Sequence, residues 1–265
     1  MKKIIFSWVI PMAIAVFILP GCRKLLDCLD HNPGGPSQLC DIQKIIFTDL
    51  LDGQPDTLTF TYNRDGSPSR AVRRHPIEGA SDWVFSYDRQ GRLIQAFPVQ
   101  GEYTISNGKV SGSGLFVRLY TYDLWNRIRT DTFYTGPTFV NGVMVSHHGA
   151  GSFSTMEYDS KDRISKETLF DLNDPGLPPV PAGVKNYTYD ANGNLVHPGV
   201  TVVYDNKVNM NRTNKVWMFF NRDYSVNNPF TAEAYNATGL PTKIRPLPYG
   251  FLFENGNMDV QYSCH

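Results

Sequence analysis

The residues able to do chemistry are few, and their spacing is the first test of them. Four thiols stand at Cys22, Cys28, Cys40 and Cys264, and His147-His148 forms an adjacent imidazole pair. Neighbours on a strand face opposite ways. A His pair inside the Gly-flanked loop Val145–Ser152 therefore reads as exposed loop rather than a metal or proton-relay site. His31 and His265 lie close in sequence to Cys28 and Cys264, but no CxxC or HExxH spacing supports zinc. The sequence has no GxSxG elbow, P-loop, GxGxxG or kinase signature. Asp190-Ala191-Asn192-Gly193-Asn194 lacks the length, Gly position and terminal Glu of a calcium loop and reads as a turn. Carboxylates are plentiful, yet spacing alone sets no pair at a glycosidase separation. No metal and no cofactor are implied. Aromatic residues make up 13% of the chain, so ring stacking is the chemistry that remains. Trp125 and Trp217 are the candidate ligand-binding residues, able to stack on a sugar ring. The competing reading is a sheet held by cross-strand aromatic pairs. Trp125 stands apart because it occupies a turn position.

Elements must carry these residues to their places, and the first is an address. Met1-Lys2-Lys3 is followed by an uncharged apolar run, Ile4 to Leu19, then Pro20-Gly21-Cys22. The run is 16 residues, short for a membrane-spanning helix. The order basic, apolar, small, Cys resembles a bacterial lipoprotein signal. The resemblance implies that Cys22 is diacylated, that the chain is cut just before it, and that two or three acyl chains hold the protein stably where one would be marginal. Removing residues 1–21 from 265 leaves 244, with Lys2 and Lys3 lost from balanced sets of 25 acidic and 25 basic side chains, hence a formal charge of −2. Arg23, rather than Asp, follows Cys22. By the enteric sorting rule that points to the outer membrane, and the missing acidic run favours the periplasmic face over the cell surface. The partner implied is the membrane, through the N-terminal lipid. Envelope glycan or another envelope protein is the remaining partner class. The balanced charge argues against nucleic acid.

In an oxidising compartment the other cysteines can form a disulfide. Cys28 and Cys40 flank a turn-rich stretch, His31 to Pro36, and a bridge between them would tie down the tether. Cys264 competes for either partner, and one Cys is left over in any arrangement.

A short phrase recurs through the rest of the chain. Its copies centre on Tyr62-Asn63, Tyr87-Asp88, Tyr122-Asp123, Tyr158-Asp159, Tyr189-Asp190, a degenerate Tyr204-Asp205 and a late Tyr235-Asn236. Polar and apolar residues alternate before the Tyr, as in a half-buried strand. The Asp or Asn after it can accept backbone N–H bonds at a tight turn. Four residues after the Tyr stand Gly66, Gly91, Asn126, Asp162, Gly193 and Gly239, types that enter left-handed backbone at least cost. Val208 breaks the rule in the degenerate copy. Leu or Ile then starts a return strand, so each copy reads as a β-hairpin with a bulge.

The Tyr-Asp-x-x-Gly-x-Leu/Ile phrase resembles the YD repeat of the Rhs family, and the chain looks like the small Bacteroidetes-type lipoproteins that carry it. The resemblance covers about Thr57 to Ile244, in patches, and makes the repeat Tyr and Asp structural. The large members' shell-and-toxin function is not implied, because 244 residues cannot enclose a folded cargo.

The expected organisation is a signal peptide (1–21), a tether (22–40) and one domain (41–265). The expected fold is all-β: an antiparallel meander of repeated hairpins making a curved open sheet or a partly closed barrel. Asp171 to Gly183 reads as a Pro-rich surface loop, Trp217 to Tyr224 as a strand or one short helix, and Tyr249 to Cys264 as a last hairpin. The expected function is a non-enzymatic binding or structural role at the cell envelope. The alternative is an envelope glycan hydrolase whose carboxylates the sequence does not identify.

Overall fold

A computed structural model describes residues 40–48, 55–74, 82–106, 109–148, 151–172, 178–245 and 257–264. The meander opens with β1 (Cys40–Phe47), β2 (Asp56–Tyr62), β3 (Pro68–Arg73), β4 (Asp82–Tyr87) and the long β5 (Leu93–Ser106). β6 (Lys109–Gly114) folds back on β5, and β7 (Phe116–Tyr122) and β8 (Ile128–Thr135) resume the meander. β9 (Thr138–Val140) and β10 (Val143–Ser146) make a side hairpin before β11 (Ser152–Tyr158), β12 (Ile164–Asp171) and β13 (Val180–Asn186). Two short strands follow, β14 (Thr188–Tyr189) and β15 (Leu195–Val196). Helix α1 (Lys215–Asn221) precedes β16 (Ala234–Tyr235), β17 (Pro241–Ile244) and β18 (Met258–Cys264).

The protein is all-β, as the alternation and turn signals predict. One 16-stranded antiparallel sheet runs β13-β12-β11-β8-β7-β5-β4-β3-β2-β1-β18-β17-β16, with β6, β9 and β10 off that path. The backbone ladder is open between β13 and β16, so the sheet is not closed into a barrel. The last strand, β18, does not extend the far edge but lies antiparallel beside β1.

One face of the sheet is covered by the helix, and the other is covered only over β4, β5 and β7. On one face Phe60, Trp83, Phe85 and Tyr120 meet α1, whose Val216, Trp217, Met218 and Phe219 are all buried. A short helix that is apolar all round belongs inside a core. Edge-to-face ring contacts hold it: Phe60 to Trp217 at 5.4 Å, Phe85 to Trp217 at 5.7 Å and Tyr120 to Phe219 at 5.5 Å between centroids. The Asn214 side chain caps the helix by accepting from the Val216 N–H at 3.0 Å. On the other face Val84, Phe97, Val99 and Val117 pack under Val110 of β6 and Phe139 of β9.

Three expectations change, and a fourth is met only in its described part. Val180 to Gly183, read as loop, begins β13, because its backbone pairs with β12 from Asp171 to Leu169. The degenerate copy at Tyr204-Asp205 makes no hairpin; without a left-handed residue four positions on, its chain runs irregularly into the helix. The predicted turn of the last hairpin lies outside the described residues, whereas its return strand is β18. Finally, Cys40 is bonded to Cys264 and not to Cys28. β1 and β18 put Cys40 and Cys264 directly opposite each other in the register. Cys22 and Cys28 lie outside the described residues. The bridge spans 224 positions, and in the chain-entropy account closing so long a loop costs the unfolded state about 5 kcal/mol.

Candidate functional site at the turn end of the sheet

The repeat turns line up along one end of the sheet, and their geometry follows from the repeated residues. In the second copy the Asp88 N–H donates to Arg92 O at 3.0 Å and the Gly91 N–H to Asp88 O at 3.0 Å. The same pair of bonds closes the turns at Asn63, Asp123, Asp159, Asp190 and Asn236. The residue four after each Tyr has positive φ: 81° at Gly66, 75° at Gly91, 61° at Asn126, 55° at Asp162, and 84° at Gly193 and Gly239. Register shifts at Tyr62, Tyr87, Tyr122 and Tyr158 mark the bulge that accompanies this turn.

Each repeat Tyr reaches back to the hairpin before it. The Tyr87 hydroxyl donates to Pro68 O at 2.7 Å, Tyr122 to Leu93 O at 2.8 Å, Tyr158 to Ile128 O at 2.7 Å and Tyr189 to Ile164 O at 3.2 Å. Tyr62 donates to Ile42 O, Tyr262 to Pro241 O and Tyr204 to Leu195 O. Tyr235 donates to the Asp205 carboxylate, next to Tyr204. These contacts form a circuit, so side chains close the turn end although the backbone ladder stays open. Burial pushes the hydroxyls of Tyr62, Tyr87, Tyr122, Tyr158 and Tyr189 above the ordinary value of 10, keeping them protonated as donors.

Arginines five positions after the Tyr complete the ladder. Arg92, Arg127 and Arg163 each pair with the Asp of their own turn, at 2.7, 2.8 and 2.7 Å. Each also lies over the Tyr of the next copy: Arg92 on Tyr122 at 4.8 Å, Arg127 on Tyr158 at 4.7 Å, Arg163 on Tyr189 at 3.8 Å. Arg127 reaches on to Asp162 at 2.8 Å. Partial burial disfavours the charge on Asp88, Asp123 and Asp159. Turn N–H groups and the paired arginine outweigh it and hold these carboxyls below the ordinary 3.8. Sequence reading missed these arginines, although their recurrence at one offset in three consecutive copies was the signal for them.

The third turn breaks the polar pattern at its tip. Leu124 is 95% exposed and Trp125 72% exposed, with the Arg127 guanidinium 4.9 Å from the Trp125 ring centre. Trp125 is thus a large ring free for contact. Trp217 is not: it is fully buried against Phe60 and Phe85, so it belongs to the core and cannot stack on a ligand from solvent.

Other chemistry is tied up or dispersed. Asp131 and Glu167 are buried, and both pair with Arg222, at 2.7 and 3.3 Å. Arg118 also pairs with Asp131, and the Tyr187 hydroxyl donates to Glu167 at 2.8 Å. Burial opposes the charge on Glu167, but Arg222 and Tyr187 overcome it and hold its carboxyl low. Arg222 caps α1 in left-handed backbone, φ 51°, and nothing in its sequence context marked it. A small cleft of about 90 Å³ beside α1 is lined by Asn209, Asn211, Asn221, Asp223 and Phe230, among others. Its amides largely bond one another: Asn209 and Asn211 donate to Asp223, and Asn221 to Asn211. His147 and His148 are exposed, and no group of three metal-ligating residues occurs among the described residues.

No protein-family model matches the chain, and no curated protein matches it. Similar solved structures include one described as "Crystal Structure of TcdB2-TccC3-Cdc42", 13% identical over 57% of this chain and 8% of that one, with a TM-score of 0.28. Another, "Crystal Structure of TcdB2-TccC3-TEV", is 16% identical over 82% of this chain and 10% of that one, again at 0.28. The chain spans a tenth or less of the length of these two, and likeness at that level carries no argument about function.

Proposed function

We propose that the chain is a lipid-anchored cell-envelope protein with a non-enzymatic binding or structural role, held in the outer membrane through Cys22. One observation supports the non-enzymatic part most directly. The repeat's Asp, Arg and Tyr side chains bond one another, and the convergent buried carboxylates Asp131 and Glu167 share Arg222 inside the core. A hydrolase needs carboxylates that converge on an open cleft. The scaffold instead presents turns, the usual place for contact residues. The anchor rests on the basic, apolar and Cys pattern of residues 1–22.

The test is Cys22→Ser in cells fed a fatty-acid analogue. Wild-type protein should label and fractionate with the outer membrane, while the variant should do neither in the same way. Persistent labelling of the variant, or wild-type material that keeps residues 1–21, would overturn the anchor. Glycan-cleaving activity of the purified protein would overturn the non-enzymatic role.

A further inference from the structure

We infer that the turn end of the sheet is a membrane-docking surface, on which Leu124 and Trp125 enter the interfacial layer and flanking cations meet anionic lipid headgroups. Three independent observations lead there. The first is the apolar tip itself. Trp is the residue that favours the membrane–water interface, and it stands here 72% exposed beside a Leu 95% exposed, where the other turns carry polar or small tips.

The second is charge. The tip pairs of successive turns are Arg64-Asp65, Arg89-Gln90, Leu124-Trp125, Ser160-Lys161 and Ala191-Asn192. The hairpins bearing Arg89 and Lys161 are the immediate neighbours of the Trp125 hairpin in the sheet. At two strands per hairpin each lies roughly 10 Å to one side. Arg64, Arg89 and Lys161 are exposed. The one acidic tip residue, Asp65, is half-buried and accepts the Ser67 N–H and hydroxyl. An apolar wedge between cations fits an anionic lipid surface.

The third is where the chain leaves. β1 runs antiparallel to β2, and the Tyr62 hydroxyl at the first turn donates to Ile42 O. Cys40 therefore sits at the turn end, the same end of the sheet as the Trp125 tip. Cys22 lies 18 positions upstream, a reach of at most about 60 Å. A lipid there lets the turn end rest on the bilayer without the chain crossing the domain. This third argument rests on the anchored reading; the first two do not.

The experiment uses the chain from residue 22 onward carrying Cys22→Ser, so that no acyl chain contributes. Of its three tryptophans, Trp83 and Trp217 are 4% and 0% exposed, so a change in emission reports Trp125. On vesicles containing phosphatidylglycerol the emission should shift to the blue, brominated acyl chains should quench it, and protein should sediment with the vesicles. Phosphatidylcholine vesicles should bind far less. Trp125→Ala should remove the shift and weaken binding on the order of tenfold, with unchanged thermal stability. Arg89→Gln and Lys161→Gln should each weaken it about fivefold. No shift on anionic vesicles, equal binding by Trp125→Ala, or a shift seen only with polysaccharide or an envelope protein would overturn the inference. Vesicle binding without Cys22 labelling would sink the anchor and leave the docking surface standing; labelling without vesicle binding would do the reverse.

Discussion

The turn ladder and the segment that fills the sheet, residues 204–230, both use polar side chains to fix backbone, and they do it in opposite ways. In the ladder one contact set is repeated. Asp123, Tyr122 and Arg127 have counterparts in Asp88, Tyr87 and Arg92, and again in Asp159, Tyr158 and Arg163. In the filling segment each contact occurs once. Asn228 is wholly buried, donates to Asp205 and Val208 O, and accepts from the Met210 N–H. Redundant shallow contacts spread their load, whereas a buried group with several partners concentrates it.

Substitutions can break or sharpen that contrast. Trp217→Ala should have the largest effect, about 3–5 kcal/mol, since it empties the space between Phe60 and Phe85; chemical denaturation measures it. Asn228→Ala should cost about 1–3 kcal/mol, because the Met210 N–H loses its acceptor and Val208 O and the Asp205 carboxylate each lose a donor. Tyr122→Phe removes one ladder bond and keeps the ring under Arg92, so about 1 kcal/mol is expected. If Tyr122→Phe proved as costly as Asn228→Ala, the ladder would be a cooperative unit and not a set of redundant parts.

The smallest effect concerns acid. Asp88, Asp123 and Asp159 have carboxyls held below the ordinary 3.8. Their contribution is fully present above that pH and is lost as pH falls through the lower folded values. Asp123→Asn keeps an oxygen for the turn N–H groups but drops the charge. It should cost about 0.5 kcal/mol near neutrality and flatten the acid side of the stability profile. Thermal melts from neutral pH downward check this, and an unchanged acid profile would show the arginine pairs to be passive.

What could be read from the sequence follows the same division. The ladder was legible because period and residue type repeat: the left-handed positions and their turns stand where Gly66, Gly91, Asn126 and Asp162 placed them. Helix α1 was only half legible, since a short apolar run such as Trp217 to Phe220 fits a buried strand or a helix equally. The pairing of Cys40 with Cys264 was not legible, because it depends on β18 returning beside β1. At the site, Trp125 was marked by a turn position unusual for a ring, but Trp217 was misplaced because aromatic content does not tell core from surface. Arg222 with Asp131 and Glu167 had no local signature at all.

The Cys40–Cys264 bond has one more consequence, for how the chain responds to proteolysis. It makes the described domain a covalent ring. A single cut of the backbone anywhere between the two cysteines opens the ring without releasing a fragment. Both pieces stay joined to Cys40, and through it to whatever precedes the domain. Shedding the domain by cleavage within it takes two cuts, or one cut together with reduction.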